Sequence, residues 1–360
     1  MNEQPELLGG APTDRCTLIG QEAAEQAFLR AWHSGRLAHA WLLSGPKGVG
    51  KASLAFHIAR FVLAGGHSQP ALFGAPDSLA IAPDHPVSRR IASGGHADFR
   101  LVERGWTDDK QPRRRSEITV DEVRDIGAFL SMTPAEGGWR VVIVDAVDEI
   151  NRNGANALLK ILEEPPKQAL LLLVAHNAGR LLPTLRSRCR LLALPPLSPS
   201  AVIAALRRAD PKLDNEEAAG LTQLAEGSIG RAMALHSQGG LALYRDMVRL
   251  LEGLPHLRIS ELHDFADRFA RQNEGLKLLG VLLTGWLAQA LRLAAGGSTH
   301  DVSPQDVSLQ RRLMQQTGIE RCLSLWEGLQ TLFDRADAVN LDGRQVVLNA
   351  FLAVEKACRS

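Results

Sequence analysis

The sequence predicts an α/β layer domain with a mainly parallel sheet, followed by a region made of helices alone. Three observations carry this reading. Strand-like and helix-like segments alternate through the first half of the chain. A glycine-rich stretch, Gly45 to Lys51, lies between a buried strand and a helix start. After "LPPLSPS" the strands stop, and everything from Pro199 to Ser360 reads as helices. A chain of 360 residues exceeds what one compact core accommodates, so two or three domains are expected.

The elements follow in order. "HAWLLSG" is a strand, and "ASLAFHIARFVLAGG" is a helix in which Leu54, Ile58 and Val62 repeat at helical spacing before a glycine stop. From Gly65 to Arg115 the periodicity breaks up, which predicts an irregular surface insertion. "ITVDEVRDIGAFLSMTP" is a helix with Val123, Ile126 and Leu130 on one face. "WRVVIVDAVDEI" is a continuous apolar strand ending in acid. "NRNGANALLKILEEPP" follows as a helix capped by Asn151 and stopped by Pro165 and Pro166. "ALLLLVAHN" and "RLLALPPL" are predicted as two more buried strands. A short helical group runs to about Ser237, and longer amphipathic helices such as "NEGLKLLGVLLTGWLAQALRLAAGG" follow.

Composition excludes several classes. The chain is 45% hydrophobic and 22% charged, with 41 basic and 40 acidic residues and a net charge of +1, so no global field draws it to nucleic acid or membrane. Cys16, Cys189, Cys322 and Cys358 are far apart, with no CxxC pair, which argues against a disulfide framework and a four-thiolate zinc site. The polar, acidic start "MNEQPELLGGAPTD" is unlike a signal peptide. The longest apolar run, Ala169 to Ala175, is too short to span a bilayer. A soluble cytoplasmic protein with no membrane contact is expected.

"GPKGVGK" fits a P-loop: Gly45, Pro46, Lys47, Gly48, Val49 and Gly50 cradle, and Lys51 supplies charge. Glycines let backbone N–H groups converge on phosphate, and a helix start favours an anion. The next position breaks the pattern. A working loop needs a hydroxyl there to hold Mg²⁺, and this chain has Ala52. Ser53 is no substitute, because one residue along a helix turns the side chain by roughly 100°. The strand ending at Asp145 offers the metal-side aspartate, yet the position for a water-activating glutamate is Ala146. Asp148 and Glu149 lie beyond the strand end and are expected to cap or decorate the following helix start. Two positions needed for turnover are alanines, so the nucleotide site reads as degenerate. The loop suffices for weak binding of ATP or ADP without magnesium; whether either occupies it stays open, and no cofactor is required.

"HAWLLSGPKGVGK", "TPAEGGWRVVIVDAVDEINRNGANALLKILEEPP" and "LLPTLRSRCRLLALPPL" together resemble the clamp-loader branch of the AAA+ family. The resemblance covers about Cys16 to Arg231. It implies a RecA-like AAA+ P-loop domain over 1–197, a three-helix lid over 198–239, and an all-α collar domain over 240–360 that packs with neighbouring subunits. It also implies a role for Ser187-Arg188-Cys189: Arg188 projects into a neighbour's nucleotide site as a finger, a task suited to a permanently charged, planar group. Nucleotide-sensing positions fall at His176 or Asn177 and at Arg231. The implied partners are gamma/tau and delta subunits of a DNA polymerase III holoenzyme, and through them a sliding clamp and primed DNA.

The family's four-cysteine zinc module is missing: Gly65 to Arg115 holds no cysteine, and His67, Asp84, His85 and His96 do not make a metal set, so no zinc is expected. Basic clusters at Arg89-Arg90 and at Arg113 to Arg115 read as solvated loop surface. The rival readings are an active gamma/tau-like ATPase, which needs a hydroxyl at 52 and a glutamate at 146, and a small-molecule P-loop kinase, which fits poorly with a helical C-terminal third.

Overall fold

The computed structural model describes residues 18–66, 77–107, 115–136, 138–269, 273–297, 303–339 and 341–359. The chain divides into two compact units, one formed by Met1–Lys212 with Gly227–Ala232, the other by Leu213–Glu226 with Met233–Ser360.

The first unit is built on five parallel strands: β1 (Ala40–Ser44), β2 (Phe99–Glu103), β3 (Arg140–Asp145), β4 (Ala169–Ala175) and β5 (Arg190–Ala193), in the order β2-β3-β4-β1-β5. Parallel neighbours need crossovers, and helices supply them: α1 (Glu22–His33) precedes β1, α2 (Lys51–Leu63) follows it, and α3 (Pro86–Ala92), α4 (Val120–Ser131), α5 (Arg152–Glu163) and α6 (Pro183–Arg186) fill the other connections. Alternation along the strands separates two cores. Trp41, Leu43, Val141, Ile143, Leu170 and Leu172 pack with Phe28, Leu54, Ile58 and Phe61 from α1 and α2. Leu42, Val142, Val144, Leu171 and Leu173 pack with Val123, Ile126, Leu130 and Leu158 from α4 and α5. Helices on both faces leave β4 buried along its whole length.

Asn151 caps α5 as expected from sequence, and α4 carries a capping box that the sequence reading did not name. Thr119 and Glu122 form a reciprocal capping box at α4, and the Asn151 side chain accepts from the Gly154 N–H at α5.

Two sequence expectations are corrected. The stretch from Gly65 to Arg115 is not wholly irregular, because it contains α3 and the edge strand β2. The aperiodic run hid them: β2 is half-exposed and carries Arg100 and Glu103, so it lacks the apolar continuity of a central strand. Likewise "RLLALPPL" does not form a buried strand. At the opposite edge of the sheet, β5 buries Leu192 and leaves Leu191 59% exposed.

The segment expected as a lid is shared between the units. Its first helix, α7 (Pro199–Ala209), groups with the sheet, α8 (Asn215–Ala225) groups with the second unit, and the division runs through α9 (Ile229–Ser237). The second unit continues with α10 (Gly240–Leu251), α11 (Ile259–Asp267), α12 (Asn273–Ala294), α13 (Pro304–Val339) and α14 (Gly343–Arg359). Within it α13 packs against both α12 and α14. Gly318 is non-helical (φ 70°, ψ 169°), so α13 is two helices joined end to end. By length and composition Gly275–Ala294 could cross a membrane, yet Leu279, Leu283, Leu287 and Ala290 are fully buried, as in a core helix of this unit.

Candidate functional site

The glycine-rich loop leaves β1 at Ser44 and enters α2 at Lys51, in the middle of the sheet, where β1 lies between the sequence-distant β4 and β5. Crevices at such reversals of strand order are where open α/β sheets take ligands. The glycines answer specific steric demands. A Cβ on Gly45 would stand 2.1 Å from the Leu194 carbonyl oxygen. Gly48 and Gly50 have φ of +80° and +99°, the left-handed region that favours glycine. Lys51 is buried, and its ammonium donates to the carbonyls of Gly45 (2.7 Å) and Pro46 (2.6 Å). Burial lowers its pKa to about 8 against the opposing pull of Asp145 and Asp148, with Lys47 adding to the fall.

Asp145 closes β3, paired in register with Val174, and Ala146 follows it at 1% exposure. Asp148 does not cap the next helix, as expected from sequence; Asn151 does that. The Asp148 carboxylate instead accepts the backbone N–H groups of His176 and Asn177, each at 3.0 Å, tying the exit of β3 to the exit of β4. Glu149 pairs with Arg104 at 2.8 Å. Both acids, carried on the short turn over Val147–Glu149, thus serve strand exits.

The two sensor alternatives part here. Asn177 accepts from the Gly179 N–H (3.0 Å), and its side chain is engaged in its own turn. His176 stands within electrostatic reach of Lys51 and Asp148; burial first and the Lys51 charge second push its pKa down to about 4, so the imidazole is neutral at neutral pH. Arg231 is partly buried at the start of α9.

The start of α9 clasps the loop. Ser228 donates its hydroxyl to the Lys47 carbonyl (2.9 Å) and accepts the Arg231 N–H (3.1 Å), while the Gly230 N–H donates to the Gly48 carbonyl (3.0 Å). From the other side the buried Gln21 amide donates to the carbonyls of Val49 and Pro195, both at 3.1 Å. Sequence reasoning singled out neither residue. A serine between glycines before a helix in "EGSIGR" is a capping signal that pointed to Ser228; nothing local marked Gln21.

In the Ser187-Arg188-Cys189 element the side chains diverge. Ser187 donates to the Thr184 carbonyl (3.0 Å), and the Cys189 thiol packs against the α5 side of the core, where burial raises its pKa to about 11. Arg188 is 35% exposed; its Nη1 donates to the Thr184 carbonyl (2.9 Å) and its Nη2 contacts Glu163 Oε1 (2.8 Å). Register fixes where Arg188 stands relative to its own loop. Arg190 pairs with Trp41 and Ala193 with Ser44, so Arg188 precedes the entrance of β5 while the loop leaves the exit of β1. At about 3.3 Å per residue, the paired steps from Arg190 to Ala193 alone separate the two ends by about 10 Å along the sheet.

The residues fit a phosphate better than a metal. Glycines and Lys51 are in place, whereas Ala52 and Ala146 offer no oxygen. Among the described residues no group of three or more His, Cys, Asp and Glu side chains could hold a metal ion. Arg90 is paired with Glu136. His67, Arg113, Arg114 and Cys16 lie outside the described residues.

The family described as "DNA polymerase III, delta subunit" matches residues 20–198. The DNA polymerase III subunit delta' of Pseudomonas aeruginosa is 33% identical over 281 residues, covering 78% of this chain and 79% of that protein. The DNA polymerase III subunit gamma of Buchnera aphidicola is 28% identical over 244 residues, covering 67% of this chain and 58% of that protein. Among solved structures, a DNA polymerase III gamma subunit-related protein of Thermotoga maritima covers 92% of this chain and all of its own, at 15% identity and a TM-score of 0.44. On the strength of the delta' similarity along most of both chains, this chain belongs to the delta' subunits of DNA polymerase III, a clamp-loader family.

Proposed function

We propose that this chain is the stator of a clamp loader: it hydrolyses no ATP itself and supplies Arg188 to the nucleotide site of a neighbouring gamma/tau subunit. In this reading it works in the cytoplasm in a hetero-oligomer with gamma/tau and delta, which places a sliding clamp on primed DNA. The observation that carries it is the placement of Arg188. The guanidinium is partly exposed and lies at the opposite end of the sheet from its own loop, farther than an arginine side chain reaches. The degenerate home site agrees, since neither Ala52 nor Ala146 can take part in metal or water handling. Whatever phosphate the loop holds is held by backbone N–H groups and Lys51, and no hydrolytic step is assigned to it.

A finger of this kind is worth ~10³ to 10⁵ in rate. Arg188→Ala in the reconstituted complex is therefore expected to leave assembly intact and depress ATP turnover by the gamma/tau subunits. Unchanged turnover would remove the finger. Phosphate release by the isolated chain at the rate of a dedicated motor subunit would favour the active-ATPase reading instead.

A further inference from the structure

We propose that Glu163 is a positioning residue for Arg188, holding the guanidinium plane so that its unused N–H groups face outward. The inference rests on the reading of Arg188 as a finger. Glu163 ends α5, followed by Glu164. Two consecutive carboxylates at a helix C-terminus oppose the helix dipole, which favours cations there. A departure from local electrostatics of this kind marks a position selected for something other than helix stability. The cation that answers it comes from another element: Arg188, from the turn after α6, at 2.8 Å.

The pair is too exposed to stabilise the fold much, with side chains 35% and 50% accessible. Its consequence is directional. A guanidinium has five N–H groups in a fixed plane. One on Nη1 is taken by the Thr184 carbonyl and one on Nη2 by Glu163, and two anchors on different nitrogens fix both the plane and its rotation within it. Three N–H groups stay available for a phosphate oxygen brought by another subunit. With Glu163 removed, only the Thr184 contact remains, and the plane turns about it. Groups that hold a reacting side chain in place typically govern about ten- to a hundredfold of activity.

The test uses the reconstituted complex carrying Glu163→Ala, Glu163→Gln, Arg188→Ala and the double variant Glu163→Ala with Arg188→Ala, with kcat and KM for ATP read separately. Glu163→Ala is expected to lower kcat about tenfold with KM little changed. Glu163→Gln, which keeps an acceptor oxygen, should recover most of the loss, and the double variant should match Arg188→Ala alone. Normal kcat in Glu163→Ala alongside a depressed Arg188→Ala would overturn the positioning role and spare the finger. A further drop in the double variant below Arg188→Ala would place the action of Glu163 elsewhere and equally overturn it. No effect of Arg188→Ala would bring down both readings.

Discussion

The hydroxyl of Ser228 donates to the carbonyl of Lys47 at 2.9 Å, joining the start of α9 to the tip of the glycine-rich loop across 181 residues of sequence. The same oxygen accepts the Arg231 N–H, so one side chain both caps a helix and holds the loop. Ser228→Ala removes the two interactions together. Loss of a cap and of one further hydrogen bond is worth about 1 to 2 kcal/mol. Chemical denaturation should show a lower midpoint, and amide exchange at Lys47 to Val49 should quicken. Unaltered exchange in the loop would mean that the clasp does not restrain it.

The Lys51 charge bears on the titration of His176. The His176 imidazole is expected to protonate near pH 4 by NMR, well below the ordinary 6.5. Lys51→Ala removes the second-largest cause and leaves burial, with the lesser pull of Lys47 and Arg104, so the His176 pKa should rise while staying under 6.5. The stability sign follows from linkage. A histidine with a depressed folded pKa contributes stability that is present above 6.5 and is lost as pH falls towards 4. A His176 signal that titrates normally in the wild-type chain would contradict the burial of this corner.

A second histidine gives an independent acid response. His96 is 3% exposed; its Nδ1 accepts the Asp98 N–H at 3.2 Å, and burial lowers its pKa. Asp98 in turn accepts the N–H groups of Ala135 and Glu136 and contacts the buried Arg140 guanidinium. Protonating His96 removes its acceptor, and the unfolded chain binds that proton more readily than the folded one. Stability should therefore fall as pH drops below 6.5, and His96→Gln should flatten that part of the curve. Equal pH slopes for the two proteins would show that this imidazole carries none of the acid sensitivity.

Legibility in the sequence followed periodicity. Strand β4 is apolar along its length because both faces are covered, and α4 shows Val123, Ile126 and Leu130 at helical spacing because one face is. Edge elements broke both rules. The half-exposed β2 was lost inside an aperiodic stretch, and β5 looked buried because its leucines suggested a core that only Leu192 enters. At the site, the loop with Ala52 and the strand end with Ala146 were readable because each is a contiguous stretch of sequence. The distant contacts of Asp148, Ser228, Gln21 and Glu163 were not, since each joins a partner tens to hundreds of residues away, and no local spacing records such a meeting.

The contact of Gly45 with the Leu194 carbonyl has a wider implication. A methyl group there would collide with the backbone beside the edge strand, and one on Gly48 would come within 2.3 Å of the Ser228 hydroxyl oxygen. Both positions are thus dictated by how the protein packs against itself, with or without a guest molecule. A glycine signature of this sort can outlive the reaction it is known for, kept in place as joinery.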